Sequence, residues 1–453
     1  MKKVVVMIIT IVLTLAYNLN VSAKDAFKSI NKYKEESLEY IIKSYNENEK
    51  NDGMICTGTY LKDKNENNNS EYNDTQIILV KYNKEGKKVW TYDYGKTIED
   101  KLFYITYTYK DNKVDGYLLV ANETSNIEEN KELAPTFIKV GLYGKEETTK
   151  SLNLPSNANV NKVITSYNEE NAVDGYIIIG EKNTDNKKIG FISKYNLDLD
   201  QVWEKDINDD NYQSISVKDI ILVKDNTTKF YAAILNYTNE NEIKNKLIKF
   251  DVDGNEQETI KEDFEEEDTP KLLELDNSYI VYGYTNEVKL KNNKSTSYYM
   301  IKYNINNEEE WDTIGNNPIN KKEKIQMQKI LNEEEQEEYI IMTTSDIDSS
   351  IEITRIDNNG LIQNKLKKIN NEYYDIKNFL FNNNILYFVG QINCPEDDNC
   401  DYDMKSLLLI STEDKVIEVE ESDNTLIFII SGTIFIFILA LVIYRRQRKN
   451  KLT

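Results

Sequence analysis

Leu79-Val80-Lys81-Tyr82-Asn83-Lys84-Glu85-Gly86-Lys87-Lys88-Val89-Trp90 is an apolar run ended by a cation, a polar turn containing glycine, and a tryptophan nine positions after the cation. The pattern returns at Phe137-Ile138-Lys139, Ile192-Ser193-Lys194, Leu247-Ile248-Lys249, Met300-Ile301-Lys302 and Ile353-Thr354-Arg355. A degenerate seventh copy is Leu407-Leu408-Leu409, and successive anchors lie 58, 55, 55, 53, 53 and 54 residues apart. Trp90, Trp203 and Trp311 each fall nine residues after their anchors. Gly86, Gly144, Gly254 and Gly360 each fall five after theirs, where a hairpin turn can need φ > 0.

A second apolar run precedes most anchors. Val114-Asp115-Gly116-Tyr117-Leu118-Leu119-Val120 and Val173-Asp174-Gly175-Tyr176-Ile177-Ile178-Ile179 are close copies, and Asp52-Gly53-Met54-Ile55 opens the first unit. Several of these runs follow a further one, such as Leu102-Phe103-Tyr104-Ile105 or Ile220-Ile221-Leu222-Val223, across a polar turn. Each unit therefore reads as four β-strands, a to d, with the anchor at the end of c and tryptophan on d. Seven such units predict an all-β, seven-bladed β-propeller, in which radial stacking covers both apolar faces of every sheet. Strand b belongs in the interior and d outside. The runner-up is an open stack or two sandwiches.

Ring closure is open to two readings. Phe27 precedes Gly53 by 26 residues, as Trp90 precedes Gly116, so residues 26–33 can supply a fourth strand to the last blade. Val416-Ile417-Glu418-Val419 can fill the same place, and residues 24–45 can instead begin as a helix. The N-terminal strand is the preferred reading. The motif layout resembles the repeats of secreted bacterial β-propellers, in which an apolar strand ends in Lys-Tyr-Asp and a Gly turn leads to Trp. Lys81-Tyr82-Asn83, Lys194-Tyr195-Asn196 and Lys302-Tyr303-Asn304 carry it, over most of residues 38–422. The resemblance implies an architecture; one such fold hosts many functions.

The chain ends have a different character. Lys2 and Lys3, the apolar run Val4–Ala16 and Val21-Ser22-Ala23 read as a secretory signal peptide over 1–23. Residues 425–444 carry no charge and match a bilayer core in length, and the basic tail 445–453 stays cytoplasmic. The expected arrangement is a single-pass cell-membrane protein with a C-terminal transmembrane helix and residues 24–422 as an extracellular propeller. Between residues 24 and 424, 49 cations face 78 acids, a net charge of about −29, which argues against nucleic acid.

The chain has no histidine, and Arg355 is the only arginine before the tail. Ser-His-Asp and Cys-His catalysis and histidine-ligated metals are thereby excluded, and a sialidase-type arginine cluster cannot form. Asp251-Val252-Asp253-Gly254-Asn255-Glu256 has the look of a calcium loop but occupies a c–d turn, and is read as a plain turn. Cys394 and Cys400 are close enough in sequence for an extracellular disulfide, and Asp397, Asp398, Asp401 and Asp403 beside them are candidate Ca²⁺ ligands. Cys56 aligns with Ile178 and is expected to be a buried apolar residue. The anchor cations are expected to pair with local carboxylates, and the 32 tyrosines to be mainly strand residues, though some can line a sugar-binding surface.

No residue is singled out as catalytic. The sequence supports a cell-surface binding module that displays its propeller to a protein or glycan. An envelope scaffold and an extracellular carboxylate-dependent glycosidase are the alternatives.

Overall fold

The computed structural model describes residues 34–412 except 62–74, 96–99, 124–134, 185–186, 226, 241, 263, 265–269, 291–292, 316–324, 333, 345–349, 371–373, 383–384 and 394–403. The chain divides into two compact units, Met1–Lys415 and Val416–Thr453, and all described residues belong to the first. The expected signal peptide, transmembrane segment, Cys394–Cys400 disulfide and aspartate cluster at Asp397, Asp398, Asp401 and Asp403 lie outside the described residues. Every regular element among those residues is a β-strand, so none is a helix able to cross a membrane.

The first unit contains β1 (Lys34–Tyr45), β2 (Asn51–Leu61), β3 (Thr75–Asn83) and β4 (Lys88–Tyr94), hydrogen-bonded in that order. Over residues 34–45 the strand replaces the alternative helix, because bonding to β2 satisfies that backbone. The second contains β5 (Asp100–Lys110), β6 (Lys113–Glu123), β7 (Thr136–Gly141) and β8 (Glu146–Ser151). The third contains β9 (Asn159–Tyr167), β10 (Val173–Asn183), β11 (Lys188–Asn196) and β12 (Gln201–Ile207). The fourth contains β13 (Ser214–Lys224), β14 (Lys229–Thr238), β15 (Ile243–Phe250) and β16 (Glu256–Lys261), and one parallel bridge, Lys188↔Ser214, joins it to the third. The fifth contains β17 (Lys271–Glu274), β18 (Ser278–Leu290), β19 (Asn293–Asn304) and β20 (Glu309–Ile314). The sixth contains β21 (Ile325–Leu331), β22 (Glu337–Thr344), β23 (Ser350–Asp357) and β24 (Ile362–Asn370). The seventh contributes three strands among the described residues, β25 (Tyr374–Asn382), β26 (Ile385–Asn393) and β27 (Met404–Thr412).

The second strand of each unit explains the packing. Side chains alternate across a strand, so an all-apolar b strand presents two greasy faces. Tyr176 and Ile178 of β10 pack toward the second unit, beside Leu118 and Phe137, whereas Ile177 and Ile179 pack toward the fourth, beside Ile220 and Ala233. The same two-sided burial runs around the chain to the end. Leu386 and Phe388 of β26 meet the sixth unit, and Tyr387 and Val389 meet Met54, Cys56 and Val80 of the first. First and last units thus share a core, which an open stack would not do. The fold is all-β, with four-stranded antiparallel sheets in a propeller-like arrangement. Each d strand bonds to its sheet along one edge only, and β4, β12 and β20 carry more exposed residues than their b strands.

The seventh anchor moves by one residue. Lys81, Lys194 and Arg355 face Ile55, Ile177 and Ile340 on their b strands. The equivalent of those b-strand residues in β26 is Tyr387, which faces Ile410 rather than Leu409. No cation or turn glycine marks that strand in the sequence, and only the alternation of its faces fixes the register.

Each tryptophan reaches into the next unit. Trp90 lies on the turn glycine Gly144, Trp203 on Gly254 and Trp311 on Gly360. A Cβ at those glycines would sit 2.7, 2.6 and 2.7 Å from the respective ring carbons, and their φ values are +78°, +77° and +79°. Trp90 and Trp311 also donate their indole N–H to Leu142 O and Asn358 O at 3.1 and 3.0 Å. The glycines therefore serve both the turn and the neighbour, which the hairpin argument alone does not reveal. Where the turn residue is Leu199 or Asn307, also at positive φ, the facing d strand has Thr148 or Glu258 in place of tryptophan. Glu258 then accepts a hydrogen bond from Asn307 Nδ2 at 2.7 Å.

Gly254→Ala is expected to destabilise the protein by about 1–3 kcal/mol in urea titrations. In a Trp203→Leu background the same change should cost less, because only the positive φ remains. Equal costs in both backgrounds would remove the indole contact from the explanation.

Candidate functional site

The anchor cations are held by carboxylates. Lys81, Lys139 and Lys194 meet Asp52, Asp115 and Asp174 at 2.8, 2.8 and 2.7 Å, each aspartate standing next to a glycine near the start of its b strand. Lys249 and Lys302 meet Glu258 and Glu310 at 3.5 and 3.2 Å, and Arg355 binds Glu338. Ser44 and Ser166 donate to Asp52 and Asp174 at 2.6 and 2.5 Å. A Ser-Asp-Lys constellation has the composition of a catalytic one. Here it recurs in the first and third units, and the lysine is committed to its carboxylate, so it pins strands a, b and c together. Lys194→Met should cost about 1–2 kcal/mol by thermal or urea unfolding, because Asp174 keeps water access and its serine donor.

The Asp251 turn is a backbone cap. Its carboxylate accepts from Asp253 N and Asn255 N at 3.0 and 2.8 Å and from Asn255 and Gln257 side chains. Asp357 and Asn304 cap their own c–d turns in the same way. The third residue of the Lys-Tyr-Asn motif is thus a turn cap. Among the described residues no group of three or more acidic or cysteine side chains is placed to hold a metal. Cys56 is fully buried on β2, and burial pushes its thiol well up.

The a strands bring chemistry-bearing residues together at their inner edges. Several have register shifts of a β-bulge kind, which re-aim the residue that follows. Opposite equivalent b-strand positions stand Tyr40, Tyr104, Lys162, Asp219, Lys271, Gln326 and Asn378, one from each unit. Most of them reach across to the next unit. Tyr40 donates to Phe103 O at 2.6 Å, Lys271 to Ile325 O at 2.9 Å and Gln326 to Lys377 O at 2.6 Å. Lys162 meets Asp219 at 2.5 Å, and Asp219 also accepts from Ile220 N and Leu272 N, both at 2.8 Å. Both oxygens of Asp219 are therefore engaged in holding the third, fourth and fifth units together. Burial alone would push the Lys162 ammonium down, but Asp219 and Tyr104 outweigh it and hold the amine cationic. On the other side of the ring, a cavity of ≈ 290 Å³ is bounded by Ile42, Lys43, Tyr107, Gln326, Gln328 and Asn378.

The a–b hairpin end of these strands is aromatic and charged. Tyr45, Tyr109 and Tyr167 end or nearly end β1, β5 and β9, all half-buried, and Lys224 ends β13 with its ammonium 3.8 Å from the Tyr167 ring centre. Tyr107 stacks edge-on with Tyr45, ring centres 5.6 Å apart, and donates to Lys43 O at 3.0 Å. Burial pushes the Tyr109 hydroxyl up and that of Tyr167 to about 12, so both are neutral donors at physiological pH. Glu274, ending β17, is reached by water yet crowded by protein. Desolvation raises its carboxyl, Lys162 and Lys224 oppose the rise, and Asp276 adds to it. Sequence reasoning missed this grouping, because each residue sits in a different unit and nothing local sets it apart.

Glu274 gives a pH signature. With its folded pKa raised above the ordinary 4.5, the folded state holds the proton more firmly, so its contribution to stability falls as pH rises through that window. Glu274→Gln should match the parent in thermal midpoint near pH 4 and exceed it near pH 7; equal midpoints at both values would contradict the raised carboxyl.

No protein-family model and no curated protein sequence matches the chain. Among solved structures it is similar to the β-propeller domain of Nup133 from Vanderwaltozyma polyspora, at 11% identity and a TM-score of 0.39, covering 79% of this chain and 97% of that one. It is similar to Sqt1 from Chaetomium thermophilum at 8% identity and a TM-score of 0.45, covering 85% and 100%. The WD40 domain of SCAP from fission yeast overlaps at 10% identity and a TM-score of 0.36, covering 86% and 99%. At these values the overlap adds no argument of its own, and the propeller-like arrangement rests on the strand pairing and circular packing.

Proposed function

We propose that the chain is a seven-bladed β-propeller that serves as a cell-surface binding module, recognising a protein or glycan at the channel mouth on its a–b hairpin side. The observation that carries this reading is the grouping of Tyr45, Tyr109 and Tyr167 with Lys224 and Glu274 at the ends of successive a strands. Tyrosine faces offer apolar area to sugar C–H groups or peptide side chains, and neutral hydroxyls and two opposite charges give direction. Seven sequence units with a core shared by first and last support the blade count. The apolar segment 425–444 supports anchoring by a C-terminal helix, with the basic tail 445–453 inside the cell and residues 1–23 removed. An acidic exterior favours neutral or cationic partners over polyanions.

The test is capture of envelope proteins and a glycan panel by soluble residues 24–424, with and without Ca²⁺. Saturable, competable binding that weakens at least tenfold in Tyr109→Ala/Tyr167→Ala, with an unchanged melting temperature, is expected. Calcium dependence would draw in Asp397, Asp398, Asp401 and Asp403. Binding that ignores the tyrosine pair would move recognition elsewhere, and no binding at all would favour an envelope scaffold.

A further inference from the structure

We propose that the outer edge of β27, together with the Gly86 turn, is the docking surface for residues 25–31 of this same chain, with Phe27 lying on Gly86 as Trp90 lies on Gly144. The inference rests on the seven-unit ring proposed above. Among the described residues β27 pairs only with β26, whereas every other c strand carries a d strand on its far side. That edge adjoins the start of the chain, since Leu408 of β27 packs in one core with Leu38 of β1.

The identity of the occupant follows from the turn. Where the turn glycine is present in the second, fourth and sixth units, the preceding unit's d strand places an aromatic ring on it. Where the turn has Leu199 or Asn307, the preceding d strand has Thr148 or Glu258 at that position. Gly86 also has a positive φ, +70°, in the same left-handed region as the +77° to +79° of the three ring-bearing glycines, so the rule calls for an aromatic residue from the strand before the first unit. The spacing agrees. From the tryptophan position on d to the ring residue on the next a strand is 14 residues for Trp90 and Tyr104, 15 for Trp311 and Gln326, and 16 for Trp203 and Asp219. For Thr148 and Lys162 it is 14, and for Glu258 and Lys271 it is 13. Counting back from Tyr40 by 13 to 16 residues spans Lys24 to Phe27, and Phe27 is the one aromatic there. The rival segment at 416–419 would put Val419 opposite Ile410, nine residues on, and a valine offers no ring.

The register makes this testable. Anchors face their tryptophans directly, Lys81↔Trp90, Lys194↔Trp203 and Lys302↔Trp311, so Phe27 should face Ile410. Directly opposed residues in an antiparallel pair lie about 4.5–5.5 Å apart at Cα, within disulfide reach. In the full-length protein, Phe27→Cys/Ile410→Cys should give a linked peptide under oxidising conditions, and Val419→Cys/Ile410→Cys should not. Hydrogen exchange on the unsubstituted protein provides a second readout, with amides 25–31 expected to exchange slowly and 416–419 fast. A bridge to position 419, no bridge to position 27, or fast exchange at 25–31 would each overturn the assignment. Neither readout involves a ligand, so failure of the binding function would leave this result standing.

Discussion

The structure depends on one constraint: a four-stranded sheet whose second strand is apolar on both faces cannot be left half-covered. Ile177 and Tyr176 are neighbours in sequence and point to different cores, each virtually sealed from water. Burying a side chain of that size stabilises by roughly 1.5–3 kcal/mol, and each unit does so on both faces of strand b. A linear stack would leave one greasy face at each end. The shared core of first and last units removes both.

Two weaker devices act on that frame. Anchor ion pairs fix strand c to strand b in the first, second, third and sixth units and to strand d in the fourth and fifth, and a tryptophan on d fixes the first, third and fifth sheets to the next turn. The ion pairs keep some water access, so they contribute modestly and mainly set register. The indole contacts are more selective, because they demand a residue without Cβ across the boundary. That demand accounts for the alternation of Trp–Gly boundaries with Glu258–Asn307, where a hydrogen bond takes the place of ring packing.

The units differ most along their a strands. Residues in b, c and d obey the repeat, whereas the inner edge has a tyrosine, lysine, aspartate, glutamine or asparagine at one equivalent position. Asp219 and Lys162 use that freedom to tie neighbours together. Tyr109, Tyr167, Lys224 and Glu274 stand at or next to the a–b hairpin ends of successive a strands, with Lys224 set against the Tyr167 ring across a unit boundary.

The sequence by itself determined the all-β class, the roughly 55-residue period, the order of strands and the turns that join them, because each depends on local patterns: alternation, a cation at a strand end, glycine five residues later. It also showed that Cys56 and the Asp251 turn are structural, as burial and capping bear out. Tertiary structure alone decided the rest. The seventh anchor at Ile410 follows from which face meets the first unit, a fact with no local marker. The second role of Gly144, Gly254 and Gly360 needs a tryptophan 54, 51 and 49 residues earlier in the chain. The residues at the a–b hairpin ends come from separate units, and only circular packing makes neighbours of side chains that the chain itself keeps far apart.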